Sequence, residues 1–222
     1  MSYGSNLLRG RFERYLLGGT LPGLDVVYPG GPGTAPAGAD RAVVLPGRLR
    51  LAGDAPAWGG GGVCFWDEGA PGPGVLARAW RVTLGQYLEV VHLEGSRAAV
   101  PQRRRAPWDD AVLRDGSATV LDGWYGRLVL AGSLEGEPAL TFTSPAAARL
   151  PARPPSPRYR EVVVAGLVET FGARARGGLD EGAAAAYVDA CASGSPTGPS
   201  PPAAPPGTTG PVTQRGDGTP RW

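Results

Sequence analysis

Apolar positions near the start of the chain recur with the spacing of one helical face. These positions are Leu8, Phe12, Tyr15 and Leu16. Charged residues fill the opposite face, and Gly18-Gly19 supplies a stop signal. The pattern predicts a helix over residues 7–17, with Ser5 or Asn6 as its N-cap. Several backbone N–H groups would then converge just ahead of a positive helix end, in an arrangement suited to an anion or oxyanion.

A second helical pattern covers residues 84–94. Its apolar face consists of Leu84, Tyr87, Leu88 and Val91. Gly95 follows and is expected to adopt the left-handed C-cap conformation. Glu94 therefore falls in the last turn, where the negative end of the helix dipole disfavours the charged form of a carboxylate. Such a carboxylate is a candidate general base, although a solvated surface Glu fits the same pattern.

Strand patterns dominate the rest of the first two thirds of the chain. Predicted strands cover 42–45, 48–51, 63–66, 75–83, 127–131 and 139–143. The last two form a hairpin around Glu135-Gly136. Segments 20–40 and 97–118 are expected to be irregular.

Two further helices are predicted toward the end of the chain. One begins with Ser156 at the N-cap and Pro157 at the first helical position. An alanine-rich helix covers residues 179–191. We expect one domain over residues 1–192 and a disordered tail rich in Pro, Ser and Gly over residues 193–222.

Composition narrows the possible partners and surroundings. All 22 basic residues are arginine, the usage expected of a GC-rich genome, and the net charge is only +2. We therefore expect no nucleic-acid partner. The sequence has neither a signal-peptide pattern nor a long apolar stretch, so we expect a cytoplasmic protein without a membrane partner.

The inventory of reactive residues argues against metal and nucleotide chemistry. The chain has one histidine, His92, and two cysteines far apart, Cys64 and Cys191. A zinc-dependent deacetylase needs several Asp and His ligands, so that class is not expected. No phosphate-binding loop, dinucleotide fingerprint or nucleophile elbow occurs. We therefore expect neither metal nor cofactor.

The order of these features resembles the gamma-glutamylcyclotransferase superfamily. The two central motifs are Tyr3-Gly4-Ser5-Asn6 ahead of a helix and a later helix ending in Leu93-Glu94-Gly95. Segments 43–51, 63–66, 122–127, 140–145 and 155–159 extend the resemblance to an actinobacterial branch whose members often carry the automatic label "histone deacetylase". The resemblance implies an α+β fold in which helices flank a small mixed β-barrel.

The resemblance also implies a reaction and a set of site residues. The α-amine of a gamma-glutamyl amine or peptide attacks the δ-carbonyl of the same molecule, which releases 5-oxoproline and the amine without a cofactor. Glu94 is the implied catalytic acid and base. The backbone of Tyr3, Gly4, Ser5 and Asn6 is implied to bind the glutamyl part and the oxyanion. Tyr125 is either a supporting hydroxyl or a core or rim tyrosine.

One departure from the family pattern concerns the start of the chain. Members of the superfamily have a short hydrophobic strand directly before the loop, whereas here Met1-Ser2 precede Tyr3. We expect that the start has been assigned too late rather than that the strand is absent. Two alternatives to cyclisation stay open, a non-catalytic small-molecule or partner-binding protein and an amide-cleaving or acyl-transfer enzyme of secondary metabolism.

Overall fold

The computed structural model describes residues 1–20, 26–31, 35–95, 107–172 and 178–194. Within these ranges the helices are α1 (Arg9–Leu17), α2 (Leu84–Gly95), α3 (Pro107–Asp115), α4 (Pro157–Phe171) and α5 (Glu181–Ala192). The strands are β1 (Gly19–Thr20), β2 (Val27–Tyr28), β3 (Asp40–Leu45), β4 (Arg48–Ala52), β5 (Val63–Asp67), β6 (Val75–Trp80), β7 (Ser117–Thr119), β8 (Arg127–Leu134) and β9 (Glu137–Thr143). Short 3-10 helices lie at Gly4–Leu7, Pro56–Trp58 and Ala147–Arg149. The predicted α+β class is confirmed, and residues 195–222 of the predicted tail lie outside the described residues.

The strands pair antiparallel in small sheets. β1 pairs with β2, β3 with β6 and β4 with β5, while β7, β8 and β9 form a three-stranded sheet. In the part of the chain that the structure describes, these pairings do not close into a barrel. No helix in those ranges is both long enough and apolar enough to cross a bilayer.

The local signals for the hairpin and the last two helices are confirmed. Glu135 and Gly136 both have positive φ, 53° and 82°, in the two-residue turn between β8 and β9. The Ser156 hydroxyl accepts a hydrogen bond from the Tyr159 amide at 3.2 Å and so caps α4. At the start of α5 the cap is Asp180.

The expectation of an irregular segment over residues 97–118 is wrong for its second half. Helix α3 and strand β7 occupy residues 107–115 and 117–119, whereas residues 96–106 lie outside the described residues. Trp108 and Val112, four residues apart, are buried in a cluster with residues of α2 and β8. A helix forms there because its apolar face is covered by other elements, which the short local pattern did not reveal.

The first residues of the chain lie between β6 and β9. Ser2 and Arg78 of β6 exchange two backbone hydrogen bonds, each 2.8 Å long. The carbonyl of Met1 accepts from the Thr141 hydroxyl of β9 at 2.9 Å. These contacts anchor the segment that leads into Tyr3 and the following 3-10 helix.

Arg78 fixes the far end of the same segment. Its side chain is almost completely buried, at 1% exposure. The guanidinium donates to Asp40 at 2.7 Å, to the Leu7 carbonyl at 2.9 Å and to Glu169 of α4. One buried cation therefore joins β3, β6 and α4 to the end of the 3-10 helix, and a network of this kind favours one position of that helix.

Candidate active site

A cavity of about 360 Å³ opens where the Gly4–Leu7 helix meets the end of α2. Its walls also include the 54–58 segment and residues 124–125, which bring three aromatic rings. The volume lies within the range of about 300–1,000 Å³ that is usual for small-molecule sites.

Glu94 contributes a carboxylate to this cavity. Its side chain is 15% exposed. Asn6 donates from Nδ2 to Oε1 at 2.8 Å, and the Tyr15 hydroxyl donates to the same oxygen. One terminal nitrogen of Arg11 lies 3.6 Å from that oxygen. Three side chains from the first helical region thus fix a carboxylate that lies 79 to 88 residues away in the sequence.

Arg11 holds the other members of the cluster in place. Its guanidinium donates to the Ser5 hydroxyl at 3.0 Å and to the Tyr15 hydroxyl at 2.7 Å. It also lies 4.9 Å from the centre of the Trp58 ring, a cation–π distance. Because these contacts use several of its five N–H donors, Arg11 is a positioning group within the cluster.

Two polar atoms of the cluster have no hydrogen bond within the described part of the chain. The contacts of Glu94 all reach Oε1, so that Oε2 accepts no hydrogen bond there. The Oδ1 atom of Asn6 is buried and unpartnered as well. Because Nδ2 faces a carboxylate, the orientation of the Asn6 amide is fixed by chemistry and Oδ1 is the acceptor.

Burial and the neighbouring charges shift two pKa values in the cluster. Burial raises the pKa of Tyr15 well above its ordinary value, against the opposing effect of the Arg11 charge. Burial by itself lowers the pKa of Arg11, but Tyr15 and Glu94 outweigh it and the net pKa is raised. Tyr15 is therefore a neutral donor and Arg11 a permanent cation at neutral pH.

The structure brings the residues predicted from the sequence to one cavity. Its lining includes Tyr3, Ser5, Asn6, Glu94 and Tyr125. Among the predicted residues, Gly4 does not line it. Its φ is +74°, and a Cβ there would meet the Cys64 side chain at 2.8 Å, so this position requires glycine for the close turn.

The hydroxyls of Tyr3 and Tyr125 are both directed at backbone carbonyls. Tyr3 donates to Phe142 at 2.6 Å, and Tyr125 donates to Cys64 at 2.9 Å. Burial raises the pKa of both tyrosines. Both residues therefore present their rings to the cavity, while their hydroxyls hold neighbouring strands.

The predicted capping role of Ser5 and Asn6 is wrong. Helix α1 begins at Arg9, its N-cap residue is Leu8 in an extended conformation, and no side chain caps it. The side chains of Ser5 and Asn6 instead contact Arg11 and Glu94. Side chains that could have accepted hydrogen bonds from the first amides of the helix instead contact other side chains at the cavity.

The predicted left-handed C-cap at Gly95 is also wrong. Gly95 is the last residue of α2 and does not have positive φ. A Cβ at this position would meet Leu121 at 2.8 Å. The glycine is needed because the turn that carries Trp124 and Tyr125 packs closely against the end of the helix.

Three residues at the site, Arg11, Tyr15 and Trp58, are not predicted from the sequence pattern. Tyr15 was placed in the apolar face of the first helix, and its ring is indeed buried there. Arg11 lies one turn before it, a spacing that brings a cation and a hydroxyl together on a helix. The four-residue spacing was the signal from which a contact between Arg11 and Tyr15 could have been predicted. It does not show that Glu94 joins that contact.

Comparison with known proteins gives a distant relative. No family model matches the chain, and no solved structure matches it. A protein of Arabidopsis thaliana named Histone deacetylase 5 is 29% identical over 206 residues, which cover 85% of this chain and 30% of that protein. The chain therefore spans about a third of the length of this relative.

Proposed function

We propose that the protein is a gamma-glutamylcyclotransferase-like enzyme that releases 5-oxoproline from a gamma-glutamyl amine or peptide. The observation that carries the proposal is the convergence of Asn6, Tyr15 and Arg11 on one oxygen of Glu94, whose side chain lines the cavity. Because these contacts hold the carboxylate through Oε1, they also fix the position of Oε2, the oxygen that is left for proton transfer.

The reaction needs a curled substrate and a proton carrier. The α-ammonium first loses one proton to solvent, and the neutral amine forms a bond to the δ-carbonyl carbon while Glu94 takes a second proton from the attacking nitrogen. The resulting oxyanion collapses, the bond from that carbon to the leaving nitrogen breaks, and Glu94 gives its proton to the departing amine. Since Oε2 accepts no hydrogen bond from the described residues, we assign the proton transfers to that atom.

The remaining polar atoms of the cavity have matching roles. The buried Oδ1 of Asn6 is an acceptor suited to an N–H of the substrate ammonium, which would satisfy an otherwise costly buried group. We assign the glutamyl chain and the oxyanion to the segment from Tyr3 to Asn6, as the family resemblance implies. Arg11 and Tyr15 position Glu94, and neither transfers a proton in this scheme.

The barrel implied by the resemblance belongs to the same proposal. Met1 and Ser2 lie between β6 and β9 and contact both strands. A connection at this point would join the β3–β6 pair to the β7–β8–β9 sheet. We propose that the sheets are parts of one small barrel with the cavity at its end.

The name of the Arabidopsis relative is not a guide to this chain. That relative is named a histone deacetylase, but the match covers 30% of it. The present chain contains a single histidine, and in its described ranges no group of three or more His, Cys, Asp or Glu residues could hold a metal ion. The ligand set of a zinc deacetylase therefore has no counterpart among these residues.

The test is a mass-spectrometric assay for 5-oxoproline with a panel of gamma-glutamyl amines and amino acids. Wild type is compared with Glu94→Gln, which keeps the shape of the side chain and removes the proton acceptor. Glu89→Gln, on the same helix but outside the cavity lining, is the matched control. We expect product from wild type and from the control and a loss of at least about 100-fold in Glu94→Gln.

The alternatives give different outcomes in the same experiment. A free acid in place of 5-oxoproline would indicate hydrolysis, and saturable binding without product would indicate a binding protein. Turnover by Glu94→Gln at the wild-type rate would refute the role of Glu94.

A further inference from the structure

The walls of the cavity divide into a polar half and an aromatic half. The polar half is formed by Glu94, Asn6 and Arg11, and Tyr15, which lies outside the lining, donates to Glu94. The other half is built by the 54–58 segment and by Trp124 and Tyr125. Because the polar half holds the groups that the proposed cyclisation needs, the aromatic half is left for the part of the substrate that departs.

Neighbouring residues hold the rings of the aromatic half in place. The ring of Trp124 is directed edge-on at Phe65, with centroids 5.7 Å apart, and Tyr125 stacks on Phe65 at 5.1 Å. Gly53 lies so close to the Trp124 ring that a Cβ there would be 2.9 Å from it. Trp124 nevertheless remains 37% exposed, which makes it one of the exposed large hydrophobic residues of the described chain.

The ionic groups of the cavity lining are already in use. Asp54 accepts from the Gly61 amide at 2.9 Å and lies 3.3 Å from a nitrogen of Arg153. Arg11, the lining residue with a cationic side chain, contacts Ser5, Tyr15 and Glu94. The amino group of Met1, which also lines the cavity, donates to the Leu140 carbonyl, and burial lowers its pKa to about 5. The described aromatic half therefore offers apolar surface and no unengaged positive charge to a ligand.

We propose that the leaving group is an apolar, preferably aromatic, amine rather than an acidic amino acid or peptide. This inference rests on the proposed function, and it names the substrate class at the same site. An aromatic tail covers the exposed face of Trp124 and gains ring–ring contact. A carboxylate in the same position loses water and meets no free cation among the described residues, which makes its burial costly.

The sharpest test compares substrates that share the glutamyl head. Gamma-glutamyl-phenethylamine carries a neutral ring, gamma-glutamyl-phenylalanine adds one carboxylate to it, and gamma-glutamyl-methylamine has almost no tail. For wild type we expect kcat/KM for the phenethylamine compound to exceed each of the other two by at least about tenfold. Equal values for the three compounds would overturn the inference.

Variants locate the preference in the aromatic half. Trp124→Ala is expected to reduce the ratio of kcat/KM for the phenethylamine compound to kcat/KM for the methylamine compound from at least about tenfold to about one. Leu17→Ala, a similarly exposed apolar residue outside the cavity lining, is the control and leaves the preference unchanged. A preference that survives Trp124→Ala would refute the role assigned to this ring.

A second variant tests charge in the opposite direction. Ala57 is exposed and lines the cavity. Ala57→Arg introduces a cation at this wall, so the ratio of activity on gamma-glutamyl-phenylalanine to activity on gamma-glutamyl-phenethylamine is expected to rise at least about fivefold, as for a partly desolvated ion pair. An unchanged ratio would contradict the inference.

Binding measurements separate this inference from the proposed function. Calorimetric titration of the Glu94→Gln variant with the same three compounds reports the tail preference without turnover. Tighter binding of the phenethylamine compound without any 5-oxoproline from wild type would support the apolar subsite and refute the cyclisation. Release of 5-oxoproline from all three compounds at equal rates, with equal affinities, would support the cyclisation and refute the apolar subsite.

Discussion

Gly166→Ala tests the contact that places the Tyr3–Asn6 loop. Gly166 is a buried residue in the middle of α4. A Cβ there would be 2.7 Å from the Leu8 amide nitrogen and 2.7 Å from the Leu7 Cβ. Leu7 cannot move freely because its carbonyl accepts a hydrogen bond from the buried Arg78. The added methyl group therefore pushes against an anchored backbone.

The magnitude follows from two opposing effects. Alanine in a helix interior is favoured over glycine by about 1 kcal/mol. Overpacking of a well-packed contact typically costs about 1–3 kcal/mol, and a clash with backbone belongs at the upper end. We expect a net loss of about 1–2 kcal/mol, or a fall in Tm of about 2–8 °C for a chain of this size.

Gly10→Ala is the matched control in α1. A Cβ at Gly10 meets nothing within 4 Å. The gain from replacing glycine is then unopposed, and because Gly10 lies in the first turn of α1 rather than in a helix interior we expect stabilisation at the lower end of about 0.4–1 kcal/mol. Both free energies of unfolding are measured by urea titration with a common slope. If Gly166→Ala stabilised the protein as much as Gly10→Ala does, the packing argument would be wrong.

Gly166→Ala should also lower turnover, and by a larger factor than its modest effect on the free energy of unfolding suggests. Leu7 and Leu8 directly follow Asn6, so a shift of their backbone moves the amide that contacts Glu94. A displacement near 1 Å can reduce turnover by about 100-fold. With the protein still folded at 20 °C, we expect 5-oxoproline formation to fall in Gly166→Ala and to stay at the wild-type level in Gly10→Ala.

Three further predictions follow from buried groups. Tyr15→Phe removes the hydroxyl that joins Arg11 to Glu94. Loss of this charge-assisted hydrogen bond should lower kcat about 10- to 100-fold with a small change in KM. An unchanged kcat would show that Tyr15 does not position the Glu94 carboxylate. Arg78→Leu removes the buried cation that pairs with Asp40 and Glu169, leaves Asp40 to the more exposed Arg9, and should lower the free energy of unfolding by about 3 kcal/mol, as read from urea titration; a loss below about 1 kcal/mol would contradict this. Burial raises the pKa of Cys64 from 9.0 to about 12. The neutral thiol therefore contributes its full stabilisation below pH 9, and this contribution is lost as the pH rises toward 12. The fall in the free energy of unfolding between pH 8 and 10.5 should be smaller in Cys64→Ala than in wild type.

Several features of this protein were determined by short-range sequence patterns. Ser156-Pro157 specified the start of α4 because the cap and the first turn are local structures. Glu135-Gly136 specified the β8–β9 hairpin because both residues accept positive φ. The position of Glu94 in the last turn of α2 followed from helical periodicity in the same way.

The tertiary structure decided which of these elements carry the site and how its groups interact. The sequence pattern placed Tyr15 on an apolar face and offered Ser5 or Asn6 as a helix cap. In the fold, the Asn6 and Tyr15 side chains reach Glu94 across 88 and 79 residues. No local periodicity encodes contacts of that separation, because they arise only when α1 and α2 pack together and bury the polar groups that must then find partners.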